Sequence, residues 1–188
     1  MREILSTQDI MASHKNVQLI LHEFEDHDRM MDIDYQRLQQ VSLNLLTNAM
    51  KFSKSGGKIQ IGGKLLTEVK GELLYKFVEI FVKDSGDGIS KEDKGKIFRL
   101  FGKLPQENDS NKHGVGLGLH ICKQVCEFFG GDIDVESELS VGSKFFFKFM
   151  ISESKILNTS LEPDDIELSI DIDASVNPCD RVMKNLEN

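Results

Sequence analysis

No stretch of the 188 residues approaches the ~18 consecutive apolar residues that a membrane-spanning helix requires, although hydrophobic residues make up 39% of the composition. The opening residues, MREILSTQDIM, lack the apolar core and small-residue cleavage site of a secretory signal, so a cytosolic location is the expectation. Cysteine is scarce. Cys122, Cys126 and Cys179 are odd in number and form no C-x-x-C, which argues against a disulfide framework or a zinc site. Basic charge is also lacking: the chain carries net −8, and nine acids against three bases from Glu153 onward account for −6 of it. With no basic face to neutralise phosphates, nucleic acid is not expected as a partner.

What is present is enough chain for one domain of about 150 residues and an appendage. The boundary falls at residues 152 and 153, with an acidic, flexible tail or linker over 153–188. In that tail Ile166, Leu168, Ile170 and Ile172 alternate with polar residues, a pattern open to a docking strand as well as a linker. Periodicity predicts a short helix over 4–13, a strand over 17–24, and a helix from Tyr35 to Ser53 with Leu38, Val41, Leu45, Ala49 and Phe52 on one side. Two strands follow at 58–69 and 73–83, joined near Lys70-Gly71. Val78, Ile80 and Val82 face one way and Phe77 and Phe81 the other, so both faces of the second strand are expected to be covered. From Asp84 to Gly118 the chain holds seven of its 15 glycines and one short helical stretch at 91–98, the composition of a functional lid. A helix over 115–129 and strands at 132–137 and 144–151 complete the domain.

Chemistry-bearing residues fall in three places. On the helix 35–53, Asn44, Asn48 and Lys51 lie within about 60° of one another at 100° per residue. Amides and an ammonium among apolar neighbours need partners, and a polyphosphate with its metal would supply them; a stripe facing water is the competing reading. At the end of the second strand stands Asp84-Ser85-Gly86-Asp87-Gly88-Ile89. A carboxylate there can accept from an exocyclic amino group while Gly86 and Gly88 let a flat ring approach, although an ordinary turn has the same composition. Third, Gly114-Val115-Gly116-Leu117-Gly118-Leu119 opens a helix, where backbone amides and the helix terminus favour an anion. It matches neither the dinucleotide fingerprint nor the G-x-x-x-x-G-K-[ST] loop.

Taken together and in order, these segments resemble the catalytic ATP-binding domain of sensor histidine kinases. D-Y-Q-R-L-Q-Q-V-S-L-N-L-L-T-N-A-M-K-F-S (34–53) is similar to the family's asparagine box, D-S-G-D-G-I to its first glycine box and G-V-G-L-G-L to its second. Ile97-Phe98-Arg99-Leu100-Phe101 resembles the phenylalanine box, with Arg99-Leu100 where F-E-P-F is usual, and V-E-S-E-L-S-V-G-S-K-F (135–145) resembles the terminal hairpin.

The resemblance covers about residues 10–152 and implies an α/β fold: a two-layer sandwich, a mixed sheet packed against three helices. It implies ATP and Mg2+ as ligands. Asn48 would coordinate the metal, Asn44 would lie beside the phosphates, Lys51 would contact phosphate, and Phe52 and Phe101 would stand near the nucleotide. Asp84 would take the adenine amino group, Gly86, Gly88 and Ile89 would shape the base pocket, and Ser143 would close its floor. Gly114, Val115, Gly116, Leu117, Gly118 and Leu119 would hold the phosphates.

The expected activity is transfer of the γ-phosphoryl group to a histidine on a phosphoacceptor helical hairpin, with a response-regulator receiver domain downstream. None of the five histidines fits the family's acceptor box, so the acceptor is expected outside this chain. The alternatives are an ATP-hydrolysing or a nucleotide-sensing module of the same superfamily. Hydrolysing members usually carry glutamate where Asn44 stands, which argues for transfer, and intact glycines with both asparagines argue against a decayed sensor. Cys122 and Cys126, four apart on a helix, are expected to be core packing.

Overall fold

The computed structural model describes residues 2–24, 33–102 and 116–155. Its elements run α1 (Arg2–Lys15), β1 (Gln18–Leu21), α2 (Tyr35–Phe52), β2 (Lys58–Lys70), β3 (Leu73–Asp84), α3 (Lys91–Lys94), α4 (Gly118–Phe128), β4 (Asp132–Glu138) and β5 (Gly142–Lys155). The strands form one sheet in the order β1-β2-β3-β5-β4. β1 runs parallel to β2 and every other pair is antiparallel, so the sheet is mixed as expected.

Helix α2 is specified at both ends. The Asp34 carboxylate accepts the Arg37 N–H at 3.0 Å, satisfying one of the orphan donors of the first turn. At the other end Lys15, in the last turn of α1, donates to the carbonyls of Met50 and Lys51 at 2.7 and 2.8 Å. A cation on otherwise unpaired C-terminal carbonyls is favourable and docks α1 on α2. Between the ends Leu38, Val41, Leu45, Leu46, Ala49 and Met50 are buried, the spacing of three and four that the sequence shows.

The inner face of the sheet meets these helices. Ile59 and Ile61 of β2, Val78, Ile80 and Val82 of β3, Phe145, Phe147 and Phe149 of β5 and Ile133 and Val135 of β4 are all buried. Phe149 stacks on Phe129 at 4.8 Å and meets Phe147 edge-on at 5.4 Å. Cys122 and Cys126 of α4 lie in the same core, where burial pushes the Cys122 thiol up to about 12 and raises Cys126 as well. Neither thiol is reactive near neutrality, in keeping with a packing role.

Several expectations need adjustment. The strand expected over 17–24 pairs only from Gln18 to Leu21, the helical stretch at 91–98 is a single turn, and the helix expected over 115–129 begins at Gly118. On the outer face of the sheet Phe77 is buried beneath Lys148, whose Nζ stands 4.9 Å from the ring and 2.7 Å from Glu68. Phe81 is only half-buried, beside His22 and Lys144, so that face is covered in part. Among the described residues no second layer lies on that side, and long lysine stems do the covering. Among the described residues no helix is long and apolar enough to cross a membrane. Of the lid expected within Asp84 to Gly118, residues 103–115 lie outside the described residues, as does the tail from residue 156 onward.

Candidate functional site

Two loops converge on the C-terminal half of α2. The first leaves β3 at Asp84, whose carboxylate is 6% exposed. It accepts the N–H of Gly86 at 2.8 Å and a second backbone N–H from Ser143. Burial raises its pKa above the usual carboxylate value, the neighbouring Asp87 charge adds to the rise, and the two backbone bonds oppose it. A side chain at Gly86 would place Cβ 2.5 Å from the Phe52 carbonyl oxygen, so this loop lies directly on the end of α2. Gly88 adopts φ +71°, with a hypothetical Cβ only 2.0 Å from the Glu138 carbonyl. Any other residue there would meet both a left-handed backbone and a clash. Ile89 is buried, and its N–H donates to the Ser137 hydroxyl at 2.8 Å.

The second convergence lies about two turns back along the helix. Asn48 Nδ2 donates to Asn44 Oδ1 at 3.1 Å, which leaves the Asn48 carboxamide oxygen turned away from Asn44. Gly118, the first residue of α4, sits so close that a Cβ would lie 2.8 Å from both amide atoms of Asn44. Leu117 at the N-cap makes no side-chain cap bond, so the amides of the first turn are not capped by it. Lys51 stands with Nζ 5.0 Å from the centre of the Phe52 ring. From Asn44 to Phe52 the helix rises ~12 Å. The loop that follows the Asp84 carboxylate thus meets the C-terminal end of α2, and the amide pair lies on the same helix about two turns earlier.

Of the residues singled out from sequence, Asn44, Asn48, Lys51, Phe52, Asp84, Gly86, Gly88, Ile89, Gly118 and Ser143 fall into these two linked groups. Gly116, at φ +78°, and Leu117 lead into the helix, and Leu119 follows in its first turn. Phe101 stands apart, 62% exposed and at φ +58°. Gly114 and Val115 lie outside the described residues.

Sequence reading missed Ser137, whose hydroxyl joins Ile89, Gly142 and Ser143. Hairpin register would have found it, because a turn over 139–141 pairs residue 137 with 143. It also missed the exposed Lys54–Asp87 ion pair at 2.9 Å and the bond at 3.1 Å from His120 Nδ1 to the Phe98 carbonyl, which ties α4 to the segment after α3. Among the described residues no group of three or more His, Cys, Asp or Glu could hold a metal ion. A hard cation here would therefore have to rely on the Asn48 amide oxygen and on a ligand's own oxygens, a donor set that suits magnesium.

Residues 33–153 match the model of the family described as histidine kinase-, DNA gyrase B- and HSP90-like ATPases, and the chain belongs to that family. Within it the fold is that of the catalytic ATP-binding domain of sensor histidine kinases. The nucleotide-free catalytic domain of histidine kinase ThkA aligns with TM-score 0.63 and 28% identity, over 80% of this chain and 89% of that one. Hybrid signal transduction histidine kinase B of Dictyostelium discoideum is 40% identical over 114 residues, 61% of this chain and 6% of its own length. Sensor protein SrrB of Staphylococcus aureus is 38% identical over 120 residues, 64% of this chain and 19% of its own. The chain thus spans a fifth or less of these curated relatives.

Proposed function

We propose that the chain binds Mg-ATP along α2 and donates the γ-phosphoryl group to a histidine on a separate phosphoacceptor helical hairpin. The observation that carries this reading is that two groups of polar residues from different segments meet the same helix α2, one at its C-terminal end and one about two turns earlier. At one end a buried acceptor, Asp84, is held by two backbone N–H groups beside Gly86. At the other, amide donors and oxygens gather at Asn44, Asn48 and Gly118. The adenine amino group goes to Asp84, with Gly86, Gly88 and Ile89 around the ring and Phe52 beside it. The triphosphate goes to the first turn of α4 and to Lys51, and Asn48 offers its carboxamide oxygen to magnesium. When bound, magnesium supplies charge neutralisation at the phosphates.

Phosphoryl transfer asks the protein mainly for position and charge, which these groups supply. Asn44 is an amide and cannot take a proton from water, which favours transfer over hydrolysis. A relative of the same fold, ThkA, has been solved in complex with the response regulator TrrA, at TM-score 0.59 and 26% identity over 80% of this chain. By the same logic a receiver domain is the downstream partner here. The catalytic domain of this reading takes in residues 1–155, since β5 pairs with β3 as far as Lys155, and the acidic tail or linker follows it.

Millimolar Mg-ATP should raise the melting temperature of the chain, with a gain of ~2.7 kcal/mol at one hundred times the dissociation constant. A folded chain that shows no shift would refute the reading. With labelled ATP the chain alone should acquire no acid-labile label, and addition of a cognate acceptor hairpin should produce it. Self-labelling at His14, His22 or His27 would show instead that the acceptor is internal.

Gly118→Ala separates site from stability. The nearest atoms its new methyl meets are those of the movable Asn44 amide, and alanine is the better helix former, so the fold should lose little. Displacing that amide breaks its bond with Asn48, and Mg-ATP affinity should fall about three- to tenfold. Unchanged affinity in titration calorimetry would remove Asn44 from the phosphate end.

A further inference from the structure

Ser137 lies at the base end of the site, cross-strand from Ser143 and hydrogen-bonded to Ile89. Its hydroxyl has one proton and two lone pairs, and three neighbours are within reach. The Ile89 N–H donates to it at 2.8 Å, it donates to the Gly142 carbonyl at 2.9 Å, and the Ser143 hydroxyl lies 3.0 Å away. A backbone N–H can only donate and a carbonyl can only accept. With its proton committed to Gly142, Ser137 can meet Ser143 only as an acceptor. In that arrangement all three neighbours are satisfied, with Ser143 giving its own proton to Ser137.

Two consequences follow at the floor of the pocket. The Ser143 hydroxyl has only lone pairs left to offer. Asp84, its cross-strand partner, also offers lone pairs, because both of its described bonds are ones that it accepts from backbone N–H groups. The floor is then a wall of acceptors. A 6-amino purine, with two N–H donors on one nitrogen, can satisfy such a wall, whereas a 6-oxo purine brings a third acceptor to it.

We infer that Ser137 is a positioning residue for base selection: by absorbing the Ser143 proton it makes the pocket reject 6-oxo purines. The inference rests on the ATP reading above and adds to it a residue that does not contact the base. Ser137→Ala frees the Ser143 hydroxyl to rotate and donate into the pocket. Affinity for ATP should then fall while affinity for ITP holds or rises.

The experiment is calorimetric titration of wild type, Ser137→Ala and Ser143→Ala with Mg-ATP and Mg-ITP, alongside melting curves. The wild type should prefer ATP, and in Ser137→Ala the ATP-to-ITP preference should shrink about three- to tenfold. Loss of both nucleotides by one common factor would mean that Ser137 merely supports the Ile89 loop, and would overturn the inference while leaving the ATP site intact. Should Ser137→Ala fail to fold, Ser143→Ala carries the test, and an unchanged preference there overturns it. Wild type that binds neither nucleotide would overturn the ATP reading itself.

Discussion

Asp84→Asn is expected to weaken Mg-ATP binding by roughly ten- to one-hundredfold, the cost of a lost hydrogen bond to a charged group. An amide in place of the carboxylate can still accept one of the two N–H groups from Gly86 and Ser143, but its NH2 is turned toward the other or toward the base. Inorganic triphosphate, which lacks a base, should bind the variant as it binds the wild type. Equal losses for ATP and triphosphate would take the base role away from Asp84.

The pH dependence of the nucleotide-free chain gives an independent check. Burial raises the Asp84 pKa above its ordinary 3.8, so the folded chain holds this proton more tightly than the unfolded one. Its contribution to stability is therefore most favourable below pH 3.8 and declines as pH rises from there through the folded value. In Asp84→Asn that contribution should vanish from the difference between acid and neutral melting curves.

Phe147→Ala is expected to cost ~3 to 5 kcal/mol, because a fully buried ring is lost together with its partners. Phe147 is 0% exposed and packs edge-on against Phe149, which in turn stacks on Phe129 at the end of α4. Total stabilities of domains lie near 5–15 kcal/mol, so this single change should bring the chain close to unfolding at ambient temperature. Urea unfolding measures it. Phe81→Ala, on the half-covered outer face, should cost much less, and equal losses at the two positions would contradict the two-layer packing described here.

Much of the fold was legible before any coordinates. Apolar residues three and four apart marked α2 and alternation marked β3, because periods of 3.6 and 2 are local properties of the backbone. Edges were less legible. Whether residues 22–24 continue β1, or 115–117 begin α4, depends on which neighbour offers a hydrogen-bonding partner, and that neighbour is remote in sequence. The candidate site divides in the same way. The residue types at 44, 48, 84, 86 and 118 stood out because amides, acids and glycines are conspicuous among apolar runs.

Their meeting was a tertiary event. Residue 44 touches 118 and residue 52 touches 86 only because the sheet, with β5 inserted between β3 and β4, forms a single core against which α2 and α4 pack side by side. The direction of the Ser143 proton belongs to the same level. A hydroxyl turns toward whichever partners surround it, and three of the partners that decide this one lie at positions 89, 137 and 142. By itself the sequence determined which elements form and which side chains could do chemistry, since both follow from local periodicity and residue type. Only the folded chain decided which of those side chains stand within hydrogen-bonding distance, because that distance is set by packing between segments far apart in sequence.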